Sequence, residues 1–165
     1  PAARRAAVAL IQRNRESWAE DRDFLLSMFE ASSGLPAGME ERYTAYLSAF
    51  EELRTDSFRV LYIEEALRLA EEYPEAPFAD EALYGAAVQQ SALEMPEAAI
   101  VTYTGLAATY PNSPYTPEAL LRVAEELNTL GEREYALRFY NRLIETAPES
   151  REAESARDAL EQMER

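Results

Sequence analysis

One sequence pattern occurs twice in this chain at a fixed spacing of 37 residues. The first copy begins at Tyr73 and the second at Tyr110, and each runs Tyr-Pro-x-x-Pro-aromatic and then Glu-Ala-Leu. A weaker third copy begins at Ala147. A period between about 20 and 50 residues is typical of stacked repeats, in which each unit buries its apolar face only against its neighbours. The spacing therefore predicts a repeat protein.

Each copy contains two helical patterns. In the second copy, apolar residues recur every three or four positions along 117–130 and again along 132–146, so they share one face of each helix. We expect Thr116 to be the N-cap of the first helix, Pro117 to lie in its first turn, and Gly131 to end it. No segment alternates apolar and polar residues as a strand would. The sequence therefore predicts an all-α fold.

These residues resemble the tetratricopeptide repeat, a family of stacked helical hairpins. In the second copy, the signature positions of the family are matched by Leu120, Val123, Ala124, Leu127, Gly131, Ala136, Tyr140, Leu143 and Pro148. In the first copy, they are matched by Leu83, Ala86, Ala87, Ala99, Tyr103, Leu106 and Pro111. The first copy departs from the family at Gln90 and Glu94, where an apolar residue and a glycine are usual. The resemblance implies an all-α, right-handed superhelical stack of about three hairpins, with an N-terminal helical segment and a C-terminal capping helix.

The repeat is longer than is usual for this family, which has about 34 residues per unit. The extra residues lie in the loop that begins with Tyr-Pro. This loop is similar to that of bacterial envelope members of the family, namely the outer-membrane barrel-assembly lipoprotein and the periplasmic Tol-Pal-associated division coordinator. The resemblance implies a periplasmic or envelope-associated location, with the cytoplasm as the alternative.

The predicted organisation has two parts, an N-terminal helical segment at 1–36 and a repeat domain at 37–165. Within the repeat domain we expect a divergent unit, two regular units and a capping helix, at 37–73, 74–110, 111–147 and 148–165 respectively. Phe50 and Tyr62 are large residues at positions that usually hold small ones. We therefore expect the helices of the divergent unit to be splayed or shifted, as terminal repeats often differ from the consensus.

The composition disfavours several classes of function. The net charge is −15, which disfavours nucleic acid and anionic membranes as partners. The chain has no histidine and no cysteine, so the commonest general base and the commonest transition-metal ligands are absent. It also has no glycine-rich phosphate loop and no calcium-loop spacing. The longest apolar run, 6–11, is too short to cross a membrane. We expect no catalytic residue, metal site or cofactor.

In a stack of this kind, the first helices of successive hairpins line the concave side, where partners of this family often lie. By register, the predicted groove residues are Leu47, Glu51 and Arg54 in the first unit, Glu81, Tyr84, Val88 and Ser91 in the second, and Glu118, Leu121, Glu125 and Asn128 in the third. This surface combines apolar anchors with carboxylates. We expect it to bind a protein or peptide that has apolar side chains and some basic residues. A cluster of basic residues that would clamp a C-terminal carboxylate is absent from it.

The sequence thus predicts a non-enzymatic protein–protein interaction scaffold, in a bacterial envelope assembly, that does not insert into the membrane. One alternative is an architectural spacer or an oligomerisation module of a larger protein; a homo-oligomer that buries Tyr84 and Leu121 would close the groove. Binding through the convex face or the loops is a second alternative. A carboxylate-based enzyme, with two paired acidic side chains as in glycosidases, is the remote third.

Overall fold

The computed structural model describes residues 56–163, which form six α-helices. Their bounds are α1 Asp56–Glu72, α2 Ala79–Ala92, α3 Pro96–Thr109, α4 Thr116–Thr129, α5 Arg133–Thr146 and α6 Arg151–Met163. No strand occurs between residues 56 and 163, and the predicted all-α fold is confirmed. The predictions for the N-terminal segment and for the first helix of the divergent unit, which includes Phe50, lie outside the described residues.

The helices stack in chain order. Each helix packs against the next one, and α4 also packs against α6. Short connections join α2 to α3 and α4 to α5, so these pairs form two helical hairpins. Helix α1 packs on α2 of the first hairpin, and α6 packs on both helices of the last hairpin. The arrangement is the expected helical repeat stack with a C-terminal capping helix.

Small residues lie where the two helices of a hairpin cross. Ala87 and Ala99 are fully buried between α2 and α3, and Ala124 and Ala136 are fully buried between α4 and α5. An alanine side chain lets the two helix backbones approach closely, and larger side chains then fill the space around the crossing. The largest fully buried residues are Ile63, Leu69, Tyr103, Leu106, Leu120, Leu143, Gln90 and Val123.

Both first helices end in the same capping motif. The N–H of Gly131 donates to the carbonyl of Asn128 at 3.1 Å, and the N–H of Glu132 donates to the carbonyl of Leu127 at 2.9 Å. These two bonds define a Schellman motif, with Gly131 in the left-handed conformation at φ +82°. The prediction that Gly131 ends its helix is confirmed. Helix α2 ends in the same way, but Glu94 occupies the left-handed position, at φ +55°.

The predicted N-cap of α4 is wrong. The helix begins at Thr116, and no side chain caps it. The Thr116 hydroxyl instead donates to the carbonyl of Tyr110 at 2.7 Å, which ties the helix start to the preceding loop. The Ser113 hydroxyl accepts a hydrogen bond from the N–H of Tyr115 at 3.2 Å. Threonine hydroxyls bond to nearby backbone in several ways, and the loop carbonyl is the partner here. Pro117 lies in the first turn, as predicted.

The large Tyr62 is accommodated by a glycine on the neighbouring helix. Tyr62 of α1 is buried, and its ring lies directly against Gly85 of α2. A Cβ atom added to Gly85 would overlap the Tyr62 hydroxyl and would lie 3.1 Å from the ring carbon that bears it. The close contact between α1 and α2 therefore depends on the absence of a side chain at Gly85.

Candidate functional site

The two first helices, α2 and α4, together with α6 form one surface of the stack, called here the first-helix face. Two clefts lie on it. The upstream cleft has a volume of about 410 Å³ and is lined by Tyr84, Val88, Ser91, Tyr103, Arg122, Glu125, Glu126 and Thr129. The downstream cleft has a volume of about 310 Å³ and is lined by Glu118, Leu121, Arg122, Glu125, Arg151, Glu152 and Ser155. The clefts adjoin because they share Arg122 and Glu125.

The structure brings together six of the eight predicted groove residues that it describes. Four line the upstream cleft, namely Tyr84, Val88, Ser91 and Glu125. Glu118, Leu121 and Glu125 line the downstream cleft, whereas Glu81 and Asn128 line neither. Leu121 is only 8% exposed, because it packs into the core that α4, α5 and α6 share. The predicted residues Leu47, Glu51 and Arg54 lie outside the described residues.

Two tyrosine rings, those of Tyr84 and Tyr103, form one wall of the upstream cleft, and Tyr115 supports Tyr84 from outside the lining. The Tyr84 ring lies 4.8 Å from the Tyr115 ring at an interplanar angle of 19°, and 6.1 Å from the Tyr103 ring at 57°. Such offset and tilted pairs stabilise each other and hold the rings in place. Burial raises the pKa of the Tyr84 hydroxyl above its ordinary value, and the nearby Glu118 carboxylate raises this pKa further. The Tyr84 ring of this wall is therefore held by contacts with two other rings of the same chain.

Arg122 lies at the junction of the two clefts with its charge compensated. Its Nε and Nη2 atoms contact Oε1 of Glu118 at 3.0 and 2.8 Å, and its Nη1 contacts Oε2 of Glu125 at 3.0 Å. Ion pairs of this exposure add little stability. Their effect is to fix the guanidinium between two carboxylates, so Arg122 positions both acidic groups along the first-helix face.

A comparison with protein-family models finds one repeat in this chain. Residues 81–113 match the model described as Tetratricopeptide repeat, which covers α2, α3 and the loop that follows. The match supports the tetratricopeptide family. A search of the curated proteins finds no match. Tetratricopeptide repeats generally mediate protein–protein interactions, so a surface formed by first helices is the natural candidate for a binding site.

Helical register alone missed several residues of the two clefts. The missed residues are Tyr103, Arg122, Glu126, Thr129, Arg151, Glu152 and Ser155. One signal was available: Glu118, Arg122 and Glu125 are four and three residues apart, the spacing of ion pairs along one helix face. The contribution of α6 could not be expected, because the sequence presents that helix only as a cap.

A third cleft lies between α1 and α3. This outer cleft has a volume of about 280 Å³ and is lined by Leu67, Ala70, Glu71, Pro74, Leu83, Val101, Thr102, Gly105, Thr109 and Tyr110. Its lining is mostly apolar and contains one carboxylate, that of Glu71. It is the surface on which the alternative of convex-face binding would depend.

Between residues 56 and 163, acidic side chains do not gather in a group of three or more that could hold a metal ion. In the same range, each helix is too short or too polar to cross a bilayer.

Proposed function

We propose that this chain is a non-enzymatic scaffold that binds a partner protein through its first-helix face. The observation that carries the proposal is the pair of adjoining clefts, which extends across α2, α4 and α6 and is joined at Arg122. The clefts combine an aromatic wall with charged groups, and interfaces use aromatic anchors inside a polar rim. The general role of tetratricopeptide repeats in protein binding supports the same conclusion.

The charges of the clefts indicate the chemistry of the partner. Two guanidinium groups line the clefts, those of Arg122 and Arg151. Four carboxylates accompany them, those of Glu118, Glu125, Glu126 and Glu152. The surplus is negative, in agreement with the net charge of the chain. A partner segment with apolar and basic side chains is therefore complementary to the face, because matched charges guide association and exclude other partners.

We further propose that the assembly lies in the bacterial envelope. The support for this proposal is the long Tyr-Pro loop, which resembles the loop of the bacterial envelope members of the tetratricopeptide family. In the structure the loops of successive repeats are joined, because the Tyr110 hydroxyl donates to the carbonyl of Pro74 at 2.7 Å. Fractionation of the source cells with an antibody against the chain tests the location. Recovery with the cytosol would contradict it.

Affinity capture of partner proteins on the wild-type chain and on two of its variants tests the binding face. The two variants carry the same change in net charge. Glu126→Arg/Thr129→Arg places long basic side chains in the upstream cleft, whereas Asn141→Arg/Glu145→Arg makes the same change in charge on α5, away from both clefts. The pairs are matched in a second respect, since Thr129 and Asn141 each donate a hydrogen bond to a carbonyl of their own helix. We expect a partner that is retained by the wild type and the α5 variant and lost by the cleft variant. A partner lost only by the α5 variant would contradict the proposal.

A further inference from the structure

We propose that the upstream cleft receives a lysine or arginine side chain of the partner, with the Glu126 carboxylate as its ionic partner. The inference rests on the proposed function, since it names one side chain that the first-helix face binds. It assigns different roles to the two adjacent acidic residues: Glu125 holds Arg122, and Glu126 holds the partner.

Glu126 is the carboxylate of this cleft that is free to accept a cation. It is half-buried and lines the cleft, yet its side chain has no hydrogen bond or ion pair to any other side chain within residues 56–163. Glu125, by contrast, is already bonded to Arg122 at 3.0 Å. A carboxylate that lines a cleft and has no side-chain partner in residues 56–163 gains most from an incoming cationic donor, because charge-assisted hydrogen bonds are the strong ones.

The position of Arg122 does not turn the cleft into an anion site. Its guanidinium is already held by Glu118 at 2.8 Å and by Glu125 at 3.0 Å. A carboxylate or phosphate of a partner would have to displace one of these groups and would also face Glu126. Like charges brought together at an interface disfavour binding. The cleft lining, with one guanidinium and two carboxylates, is therefore selective for a cation.

The walls of the cleft suit the stem of a long basic side chain. Val88 and the Tyr84 ring provide apolar surface, and Tyr115 holds that ring in place by stacking at 4.8 Å. Lysine and arginine bury their methylene stems along apolar surface while the charged head reaches a polar rim. A cation near the aromatic ring gains a further, smaller attraction. The volume of about 410 Å³ is within the range of binding pockets in proteins.

The test uses two peptide probes that differ in one charge. Both are acetylated heptapeptide amides of sequence Gly-Ser-Leu-X-Leu-Ser-Gly, where X is arginine in one and citrulline in the other, because citrulline has the shape of arginine without its charge. Each peptide is titrated at low salt into the ¹⁵N-labelled 165-residue chain, and the backbone amide shifts are followed by NMR. We expect saturable shifts at Val88, Glu126 and Thr129, with binding about ten-fold tighter for the arginine peptide than for the citrulline peptide.

Two variants assign the preference to one carboxylate. Glu126→Gln keeps the shape of the side chain and removes its charge, and we expect it to abolish the preference for arginine over citrulline. The control Glu145→Gln removes one charge from the exposed surface of α5 and should leave the preference unchanged. An equal loss in both variants would show a general effect of net charge and would overturn the inference.

The remaining outcomes separate this inference from the proposed function. Equal binding of both peptides at the upstream cleft would overturn the role of Glu126 and leave the first-helix face as the binding surface. Shifts confined to the outer cleft, at residues such as Leu67 and Val101, would contradict both. Absence of saturable shifts up to about 10 mM peptide would also overturn the inference, since a cleft that selects a basic side chain should bind it in the millimolar range. The proposed function would then depend on the capture experiment alone.

Discussion

Gln90 is a buried amide without a hydrogen-bond partner, and its replacement by leucine should stabilise the fold. The side chain is fully buried, and neither its Oε1 nor its Nε2 atom has a hydrogen-bond partner among the described residues. One repeat later the same position holds Leu127, which packs against the core of the last hairpin. Gln90→Leu therefore places in the first hairpin the residue type that the second one already uses.

The size of the effect follows from the unmade hydrogen bonds. Burial of an amide without partners costs about 1–3 kcal/mol on the scale of protein mutants. We expect Gln90→Leu to raise the free energy of unfolding by a similar amount. For a chain of this length 1 kcal/mol moves the thermal midpoint by about 2–4 °C, so the midpoint should rise by about 2–12 °C. Gln90→Met tests the same idea with an unbranched side chain, which adapts more easily to the existing space.

The neighbouring glutamine provides the control. Gln89 is also buried, but its Oε1 accepts a hydrogen bond from Nη1 of Arg59. Gln89→Leu removes that acceptor and should lower the free energy of unfolding by about 1–3 kcal/mol. Urea denaturation followed by circular dichroism at about 222 nm measures both effects, with an unchanged denaturant slope as the sign that only stability has changed. If Gln90→Leu and Gln90→Met are both less stable than the wild type, the amide is satisfied and the reasoning is wrong.

Three further predictions concern the backbone, the packing between repeats and the pH dependence. Glu94→Gly should stabilise the chain by about 0.5–1 kcal/mol in urea denaturation. The left-handed conformation costs a residue with a side chain more than glycine loses in conformational entropy on folding. Equal stability of the variant and the wild type would show that Glu94 is not strained. Gly85→Ala should destabilise it by about 1–3 kcal/mol through overlap with Tyr62, despite the better helix propensity of alanine. Tyr62→Phe, added to the Gly85→Ala variant, should recover part of the lost stability. If it does not, overlap with the Tyr62 hydroxyl is not the cause of the loss. Burial raises the pKa of the Tyr103 hydroxyl above its value in the unfolded chain. The contribution of the neutral hydroxyl to stability is therefore complete below the unfolded pKa of about 10, and it is lost as the pH rises through the folded pKa. The thermal midpoint should therefore fall above about pH 10, and a constant midpoint up to about pH 12 would contradict this.

The helices could be predicted from the sequence because strong local signals mark their ends. Pro96 begins α3, Gly131 follows the end of α4, and Pro148 prevents continuation of α5. The details at these ends were not predictable to the same degree. Glu94 keeps the left-handed turn without a glycine because the backbone bonds of the Schellman motif are retained. Thr116 bonds to a loop carbonyl instead of its own helix, which no local pattern reveals.

The candidate site could be predicted only in part because register does not show which surfaces a neighbour covers. Helical register selects residues that point away from their own hairpin. Two of these residues, Tyr84 and Val88, line the upstream cleft. Leu121 satisfies the same rule, but the core around α6 covers most of it. The difference between Glu125 and Glu126 depends on which one the guanidinium of Arg122 reaches, and that follows from side-chain geometry.

Site-specific photo-crosslinking shows directly whether a partner binds the first-helix face. A benzophenone amino acid is placed at Thr129, on the upstream cleft, or at Glu145, on α5; both positions are exposed. The two variants are irradiated in extracts of the source organism, and the crosslinked protein and its attachment site are identified by mass spectrometry. We expect one specific crosslink from Thr129, to a partner segment that contains lysine or arginine, and none from Glu145. A crosslink to the same partner from Glu145 alone would contradict it.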